Sequence, residues 1–530
     1  MTRKELAQKA FEECCDPKNI IHRGKGGAGT YWNCSSRQFM YAPAFYFNGI
    51  GSCGRYRYDA TDEAGVVHSF EADSAQADLS PIWAELPEGV VRLAVTALEL
   101  DGSDYALVGA RTFFKLASFP ENTPKAKCSY TECANKAYQF AMSNSFVRHW
   151  LTDGTPDPSY DLNIYPSKII SHLADTMIKF SKLYPEIKED AMKVAVRSAD
   201  WMIGITPRGN HPLANLPPTY YFDFCPDPEK YGIVTANYRA AKQHCGTVMM
   251  IYPASAGTMY LHLSEATGDK KYLDEALKIG KYYLNTVEEN GSWFSTRSEE
   301  TGEPTAPNYV APAEQVLPFL TELYDYTGDP VWKQLCDGAV RYIEKSQLEE
   351  YNWEGQFEDI GADTEKYSDL TQYGPVGLAR YYLKYHKDEP EYMEKAKELM
   401  RFAEDQFVVW NRTSPWYKPS ANSIEADEKV LGLHTPAGLE QYFCYWPIDA
   451  STAHIIRGFL AFYEAGCGEL YLAKAKVLAD QITIMQEESG QILTFWIDNP
   501  EDRSNFWFNC MFSSCLVLME MSKYDDIRFE

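Results

Sequence analysis

The chain has 530 residues, of which 45% are hydrophobic and 14% aromatic, so it can bury a large interior. Its formal net charge of -25 disfavours sequence-independent binding to nucleic acid or to an anionic membrane surface. No run of about 18 apolar residues is present, which predicts that no helix spans a membrane. The expected partner is therefore a small or neutral ligand.

Two features of the sequence indicate the cellular compartment of the protein. The start, M-T-R-K-E-L, carries charges where a secretory signal needs an apolar core. The 13 cysteines are an odd number and form no paired CxxC motif of the kind that binds zinc, which favours reduced thiols. We therefore expect a cytoplasmic protein with no metal site and no cofactor.

The first 118 residues are expected to precede a helical region. Residues 1–15 have the pattern of an amphipathic helix, and the segment up to residue 54 is rich in glycine and aromatic residues. Residues 55–118 alternate with a period of two between turn signals, which predicts a small β-sandwich. Within it, V-V-R-L-A-V-T-A-L-E-L resembles strands of fibronectin type III modules. A proline-marked linker follows, so the predicted units are 1–54, 55–118 and 119–530.

The remainder of the chain is predicted to be helical and repetitive. Tyr272, Trp332 and Tyr392 follow one another at steps of 60 residues, and the turn T-G-D occurs before the first two. A fixed period of this kind indicates stacked structural repeats. Six helix pairs are expected, with outer helices near 130–150, 186–205, 270–288, 331–348, 390–408 and 469–486, and inner helices near 165–183, 251–266, 311–326, 369–386, 450–465 and 505–522.

The predicted inner helices carry less charge than the outer ones. Residues 251–263 and 506–519 contain no charged side chain, as expected of helices in an interior. The longest connections, 206–250 and 409–448, both lead into inner helices. Long loops should therefore gather at one end, above the N-termini of the inner helices, where a functional site is expected.

Three motifs carry a resemblance to a known superfamily. They are Y-P-A-S-A-G-T at 252–258, Y-W-P-I-D-A-S-T-A at 445–453, and the repeated T-G-D turn. With six inner and six outer helices, this pattern resembles the (α/α)6 toroid of the six-hairpin glycosidases over about three quarters of the chain. The resemblance implies a mainly α protein that acts on carbohydrate. Because the superfamily includes hydrolases, lyases and epimerases, the fold does not choose the reaction.

Four acidic residues are candidate catalytic groups. Glu358 and Asp359 lie in an acidic and aromatic stretch before an inner helix, Asp449 lies in Y-W-P-I-D-A-S-T, and Asp161 precedes the first inner helix. Glycoside hydrolysis needs one carboxylic acid and one carboxylate. We assign Glu358 or Asp359 as the acid and Asp449 as the base, with Asp161 as a third candidate. The structural alternatives are a helix cap for Asp449 and solvated surface acids for the others.

Candidate substrate-binding residues lie in the same predicted loops. Arg239 and His244 belong to a basic cluster that could hold a uronic-acid carboxylate, although an ordinary surface cluster is the alternative. Glu314 lies in the first turn of an inner helix, where a capping role is the alternative. Aromatic residues there can stack on sugar rings or simply pack in the core. The full set is Trp353, Tyr373, Tyr445, Trp446, His434, Arg239, His244, Tyr309 and Glu314.

The sequence therefore predicts a glycoside hydrolase acting on oligosaccharides, and those that contain uronic acid are candidate substrates. One alternative is a lyase or uronyl epimerase, in which Tyr373, His244 or His434 abstracts a proton beside a carboxylate. Another is a carbohydrate-binding protein without catalysis. Association with further copies of this chain is also compatible with the sequence.

Overall fold

The computed structural model describes residues 1–19, 36–307, 309–349, 371–412, 414, 432–440, 446–498 and 505–529. Within those ranges, no helix combines the length and the apolar composition needed to cross a membrane. The described chain consists of a small N-terminal β region followed by a large helical assembly.

The N-terminal region begins with helix α1 (Arg3–Cys15), where Thr2 and Glu5 form a capping box. A five-stranded sheet and a two-stranded ribbon follow. The sheet has the order β1-β7-β6-β3-β4, and β2 pairs with β5. The strands are β1 (Gln38–Phe39), β2 (Ala44–Tyr46), β3 (Tyr56–Thr61), β4 (Val67–Ala72), β5 (Gln76–Asp78), β6 (Gly89–Leu98) and β7 (Asp104–Lys115), with the short helix α2 (Ser80–Trp83) before β6.

The β-sandwich expected from the alternating pattern is not confirmed. Only the four long strands carry that pattern, and they pair with one another in a single sheet. The buried side chains of β3 and β6 pack with Phe39, Phe45 and Trp83, while β4 alternates between exposed and partly exposed residues. The sheet thus has one buried face, covered by short segments of the glycine-rich region that carry Phe39 and Phe45, and by α2 with Trp83.

Fourteen further described helices form the large assembly. They are α3 (Tyr130–Ser143), α4 (Ser145–Thr152), α5 (Pro166–Leu183), α6 (Lys188–Ile205), α7 (Ala236–His244), α8 (Tyr252–Thr267), α9 (Lys270–Thr286), α10 (Ala313–Thr327), α11 (Pro330–Ile343), α12 (Tyr373–Tyr385), α13 (Pro390–Phe407), α14 (Asp449–Glu464), α15 (Glu469–Ile484) and α16 (Phe508–Met521). Two short ribbons join β8 (Thr247–Met249) to β9 (Thr296–Ser298), and β10 (Val408–Val409) to β11 (Ala437–Gly438).

Six of these helices form a closed inner ring. The inner helices α5, α8, α10, α12, α14 and α16 each pack against the next, and α16 packs against α5. Each also pairs with one outer helix, namely α6, α9, α11, α13, α15 and α3 respectively. The last inner helix therefore pairs with the first outer one, so the two ends of the helical region close the ring. The predicted inner and outer sets are confirmed.

The repeated T-G-D turn connects an inner helix to the next outer helix through a glycine that ends the first and an aspartate that caps the second. Gly268 and Gly328 end α8 and α10 with φ of 73° and 68°, a conformation that favours glycine. Asp269 and Asp329 then cap α9 and α11 by accepting a backbone N–H bond. The large residue after each cap, Tyr272 or Trp332, is the third residue of its outer helix and is buried, as the period of 60 predicts.

The N-terminal region docks on the outer helices through buried polar groups. Asp405 Oδ1 on α13 accepts backbone N–H bonds from Met40 at 2.5 Å and Tyr41 at 2.8 Å. Beside it, Glu404 and Lys474 form an ion pair of 2.7 Å in which the side chains are 4% and 3% exposed. Because buried polar groups need partners, these contacts fix where the N-terminal region sits on the ring.

Candidate active site

The N-terminal ends of the inner helices meet at one end of the ring, which we call the mouth. Gln372, just before α12, donates from Nε2 to Ser451 Oγ on α14 at 2.9 Å. A Cβ atom on Gly374 of α12 would lie 2.3 Å from Glu314 Oε1 of α10. The rings of Tyr373 on α12 and His454 on α14 are 4.6 Å apart. Residues that are distant in sequence are thus brought together at one end of the ring.

A cation lies among aromatic rings on the opposite arc of the mouth. Lys168 Nζ, on the first turn of α5, is 4.6 Å from the ring centroid of Trp507 and 5.6 Å from that of Tyr252. Tyr165 continues this aromatic wall, with its ring 6.2 Å from Trp507 and 5.5 Å from Tyr220. Lys168 is partly exposed, and its ammonium lies over the faces of these rings.

The surroundings of Tyr373 and His454 shift their pKa values in opposite directions. Burial raises the pKa of the Tyr373 phenol, and nearby Glu440 and Asp449 add to the effect while Lys168 opposes it. Burial also holds the pKa of His454 well below its usual range, and the charges of two arginines deeper in the ring lower it further. His454 Nε2 has no hydrogen-bond partner among the described residues. The pair thus combines a protonated phenol with a neutral imidazole.

Asp161 is the accessible candidate carboxylate in the described part of the mouth. It begins a turn of 3-10 helix, Asp161–Ile164, directly before α5. Its Oδ2 accepts hydrogen bonds from Thr235 Oγ1 at 2.5 Å and from Asn237 Nδ2 at 3.4 Å. Asn237 also donates to Asn505 Oδ1 at 3.3 Å, which connects Asp161 to the segment before α16. This set of donors suits a carboxylate anion.

Asp449 contacts α16 through Ser514 and is fully buried. It is the first residue of α14, and Ile448 occupies the cap position. Its carboxylate accepts from the Ala450 N–H at 2.7 Å and from Ser514 Oγ at 3.1 Å, while its exposure is 0%. Burial raises the pKa of this carboxyl well above its ordinary value. Asp449 therefore meets no solvent in this conformation.

Two further candidates are at the mouth but buried. Glu314 lies in the first turn of α10 and is 3% exposed. It contacts the start of α12 at Gly374. Tyr309 is 5% exposed and packs against Ala306. Both side chains are thus largely withdrawn from solvent.

The two candidates from the predicted basic cluster, Arg239 and His244, lie in different surroundings. Arg239 is exposed on α7 and donates from Nη1 to the Val234 carbonyl at 2.8 Å. His244, at the end of α7, stacks on Tyr220 with ring centroids 6.5 Å apart, and Tyr220 belongs to the aromatic wall. Burial lowers the pKa of His244, so it is a neutral ring. The cation that reaches the described mouth is Lys168 rather than Arg239.

His434 and Trp446 lie in a neighbouring cluster. His434 Nε2 is 2.8 Å from Asp498 Oδ1, and its backbone N–H donates to the Trp496 carbonyl. The Trp446 ring packs edge-on against Phe495 at 5.0 Å and contacts a small apolar cluster that also includes Trp507. This packing corresponds to the core alternative for Trp446. Four other candidates, Trp353, Glu358, Asp359 and Tyr445, lie outside the described residues.

The structure adds two residues to the mouth that the sequence analysis did not select. Lys168 carries a weak signal, because it is a charged residue on the first turn of a helix whose neighbours Ser167, Ile169 and Ile170 are buried. His454 carries less, since a single histidine within an inner helix is compatible with the core. Across the part of the chain that the structure describes, no group of three or more His, Cys, Asp or Glu residues is arranged to hold a metal ion.

Comparisons with known proteins concern the fold. No protein-family model and no curated protein sequence matches this chain. The crystal structure of a D-mannose isomerase is similar with a TM-score of 0.50 and 12% identity, over 74% of this chain and 97% of that one. At this identity the likeness shows the fold alone, an (α/α)6 toroid, which is the fold that the motifs predict.

Two other solved structures have lower similarity. A cellobiose 2-epimerase from Spirochaeta thermophila DSM 6192 has a TM-score of 0.47 and 13% identity, over 74% of this chain and 98% of that one. A family 76 glycoside hydrolase from a bovine Bacteroides thetaiotaomicron strain has a TM-score of 0.45 and 10% identity, over 88% of this chain and 93% of that one. At these identities the comparisons do not select a reaction.

Proposed function

We propose that this chain is a carbohydrate-active enzyme, a glycoside hydrolase that binds a uronic-acid-containing oligosaccharide at the mouth of the ring. The observation that carries the proposal is the position of Lys168 between the Tyr252 and Trp507 rings, in a mouth that also holds Asp161. Aromatic faces suit the apolar faces of sugar rings, and an ammonium suits a carboxylate.

The roles in hydrolysis follow from exposure and hydrogen bonding. Asp161 is accessible and accepts from two donors, so it is assigned as the carboxylate that activates water or attacks the sugar. The proton donor is assigned to Glu358 or Asp359, as the sequence predicts. Asp449 is assigned a supporting role, because its burial keeps it from both water and sugar. This assignment replaces Asp449 by Asp161 as the base.

The test is hydrolysis of a panel of neutral and uronate-containing oligosaccharides, measured as new reducing ends. Asp161→Asn should lower kcat by about 100-fold or more, the usual effect of losing a catalytic acid or base. The matched control is Asp153→Asn, because Asp153 is an exposed aspartate close by in the chain. A wild-type rate in Asp161→Asn, with uronate substrates cleaved by the parent protein, would remove Asp161 from the chemistry.

A second candidate reaction is favoured by the contact between Tyr373 and His454. In a lyase or uronyl epimerase, neutral His454 would take the proton from the carbon beside the carboxylate, and the electron pair would move into that carboxylate. Lys168 would stabilise the resulting charge. In elimination, the Tyr373 phenol would give its proton to the leaving oxygen, whereas in epimerisation a proton would return to the same carbon from the opposite face.

Solvent exchange separates this reaction from hydrolysis. Incorporation of deuterium beside the carboxylate in D2O, or ultraviolet absorbance from a new double bond, would select proton abstraction. His454→Gln should then abolish the signal while Asp161→Asn retains it. If reducing ends form without either signal, hydrolysis remains and proton abstraction is wrong.

A further inference from the structure

The chain contains a cavity that is separate from the mouth. It has a volume of about 460 Å³ and lies between α1, the end of β7 and the segment that follows it. Its walls are mainly apolar, and its edge carries the exposed side chains Lys4, Gln8 and Glu121. The apolar lining is formed by Phe11, Met40, Trp83, Leu86, Leu116 and Phe119. This volume is in the range of small-molecule sites in proteins.

One wall of this cavity holds a buried ammonium that has no carboxylate partner in the described part of the chain. Lys115, the last residue of β7, is 6% exposed, and its Nζ donates to the carbonyls of Trp83, at 2.6 Å, and Leu86. The same atom is 4.9 Å from the Trp83 ring centroid and 5.9 Å from that of Phe11. Among the described residues, no carboxylate forms an ion pair with it. Two of its three N–H groups are therefore used, and its charge is not neutralised.

We propose that this cavity binds a small amphiphilic carboxylate, with the anion on Lys115 and a flat apolar body between Phe11 and Trp83. The cation and the apolar walls are present together, and each fits one part of such a ligand. A ligand of several negative charges is disfavoured because Glu88 also lines the cavity. This site is independent of the reaction proposed for the mouth.

The titratable groups around Lys115 are two thiols and one carboxyl, Cys15, Cys14 and Glu88. Their state is compatible with one carboxylate of a ligand on the Lys115 ammonium. Burial lowers the pKa of Lys115 to about 8, and the neighbours Cys15, Cys14 and Glu88 oppose that shift. Burial raises the pKa of both thiols, so they remain neutral near pH 7. Burial also raises the pKa of Glu88, whose Oε2 accepts from Asn411 Nδ2 at 3.3 Å. Lys115 is therefore the buried cation of the cavity, whereas Lys4 lies at its exposed edge.

Calorimetric titration of the full chain with 3-phenylpropionate tests the proposal, with 3-phenylpropanol as the neutral probe of the same shape. The acid should bind saturably and at least about tenfold tighter than the alcohol, which corresponds to one charge-assisted contact. Its affinity should fall by about fivefold to tenfold between about pH 7 and about pH 9, as Lys115 loses its proton. Equal affinity for acid and alcohol, or no saturable binding of the acid, would overturn the proposal.

Three variants locate the binding. Lys115→Met should lose the preference for the acid, whereas Lys9→Met, on the exposed side of α1, should keep it. Glu88→Gln should tighten the acid by removing a like charge, and it gives a readout that does not depend on Lys115→Met folding. Unchanged acid affinity in Glu88→Gln, or a retained acid preference in folded Lys115→Met, would place the ligand elsewhere and contradict the assignment.

Discussion

His262 on α8 joins three neighbouring inner helices through two carboxylates. Its Nδ1 is 2.5 Å from Asp175 Oδ1 on α5, and its Nε2 is 3.3 Å from Glu322 Oε2 on α10. Burial lowers the pKa of His262, but hydrogen bonds and charge from the two carboxylates outweigh it and raise the pKa to about 9. The imidazolium therefore persists at neutral pH and links the helices away from the mouth.

This linkage predicts a loss of stability in alkaline solution. Because the pKa of His262 is higher in the folded chain than the ordinary value of 6.5, its contribution is complete below about pH 6.5 and is lost as the pH rises through about 9. His262→Gln should lower the free energy of unfolding by about 1 to 2 kcal/mol at neutral pH and flatten its decline towards about pH 10. Denaturant unfolding measured across this range checks the expectation.

His386→Gln is the matched control for that series. His386 contacts one exposed carboxylate, Glu389, at 2.8 Å, and lies at the end of an inner helix. Its replacement should leave the alkaline decline as it is in the parent protein. A decline that is equally steep in His262→Gln and in the parent would show that another group titrates.

At the residue scale, the sequence predicts classes of side chain better than their exposure. Asp161 and Asp449 both precede or begin inner helices, as the motifs predict, yet one is accessible and the other is 0% exposed. Exposure depends on packing partners such as Ser514, which is 65 residues from Asp449 in sequence. Lys168 and His454 were missed for the same reason, since their neighbours Trp507 and Tyr373 come from other helices.

At the element scale, close contact between inner helices depends on glycine. A Cβ atom on Gly257 of α8 would lie 2.3 Å from a ring carbon of Phe319 on α10, and an aromatic ring between packed helices cannot yield easily. Gly257→Ala should therefore lower the free energy of unfolding by about 1 to 3 kcal/mol, the usual cost of overpacking. Chemical denaturation followed by circular dichroism measures this effect.

Gly204 provides the opposite case on an outer helix. It is exposed on α6, and a Cβ atom there would meet nothing within 4 Å. Gly204→Ala should stabilise the protein by up to about 1 kcal/mol, because alanine restricts the unfolded chain and favours the helix. If both variants were destabilised to the same extent, the close packing of α8 on α10 would not be the cause.

The elements with a local chemical signature were predictable from sequence. The T-G-D turns specify a helix end, a cap and the next helix within three residues, and the structure has all three at Gly268 and Asp269. The β-sandwich lacks such a signature, because strand alternation specifies a buried face but not what covers it. In the structure, short segments with Phe39, Phe45 and Trp83 cover the sheet instead.

At the scale of the whole molecule, a buried carboxyl joins the N-terminal region to the ring. Burial raises the pKa of Asp405 to about 7, against the opposing hydrogen bonds from Tyr41, Met40 and Gln406. Since the folded value is above the ordinary value of 3.8, this group's contribution to stability falls as the pH rises from about 4 to about 7 and is then constant.

Replacement of Asp405 should separate its charge from its hydrogen bonds. Asp405→Asn keeps an acceptor for the Met40 and Tyr41 N–H groups and removes the titration, so the fall in stability between about pH 4 and about pH 7 should be reduced. Asp405→Ala should lose about 2 kcal/mol or more, because two buried N–H groups lose their acceptor. Thermal unfolding across this pH range distinguishes the two. Equal losses in both variants would contradict the role of the hydrogen bonds, and an unchanged pH dependence in Asp405→Asn would contradict the role of the charge.

The ring itself was predictable because its repeat is long and regular. The step of 60 residues from Tyr272 to Trp332 and Tyr392 places each at the third position of an outer helix. The closure of the ring between α16 and α3 follows from the number of pairs. The arrangement of side chains at the mouth did not follow, because it depends on six helix ends that meet only in the folded chain.

The most direct test of the central claim is the specificity of Lys168→Met towards a uronate-containing oligosaccharide and its neutral carboxyl-reduced analogue. The account predicts that kcat/KM for the uronate falls by about 30-fold or more while that for the neutral analogue changes by less than about threefold, since one charge-assisted contact is lost. Lys182→Met, at an exposed lysine of the same helix, should leave both unchanged. Equal losses for the two substrates, or no loss for either, would contradict uronate binding at the mouth.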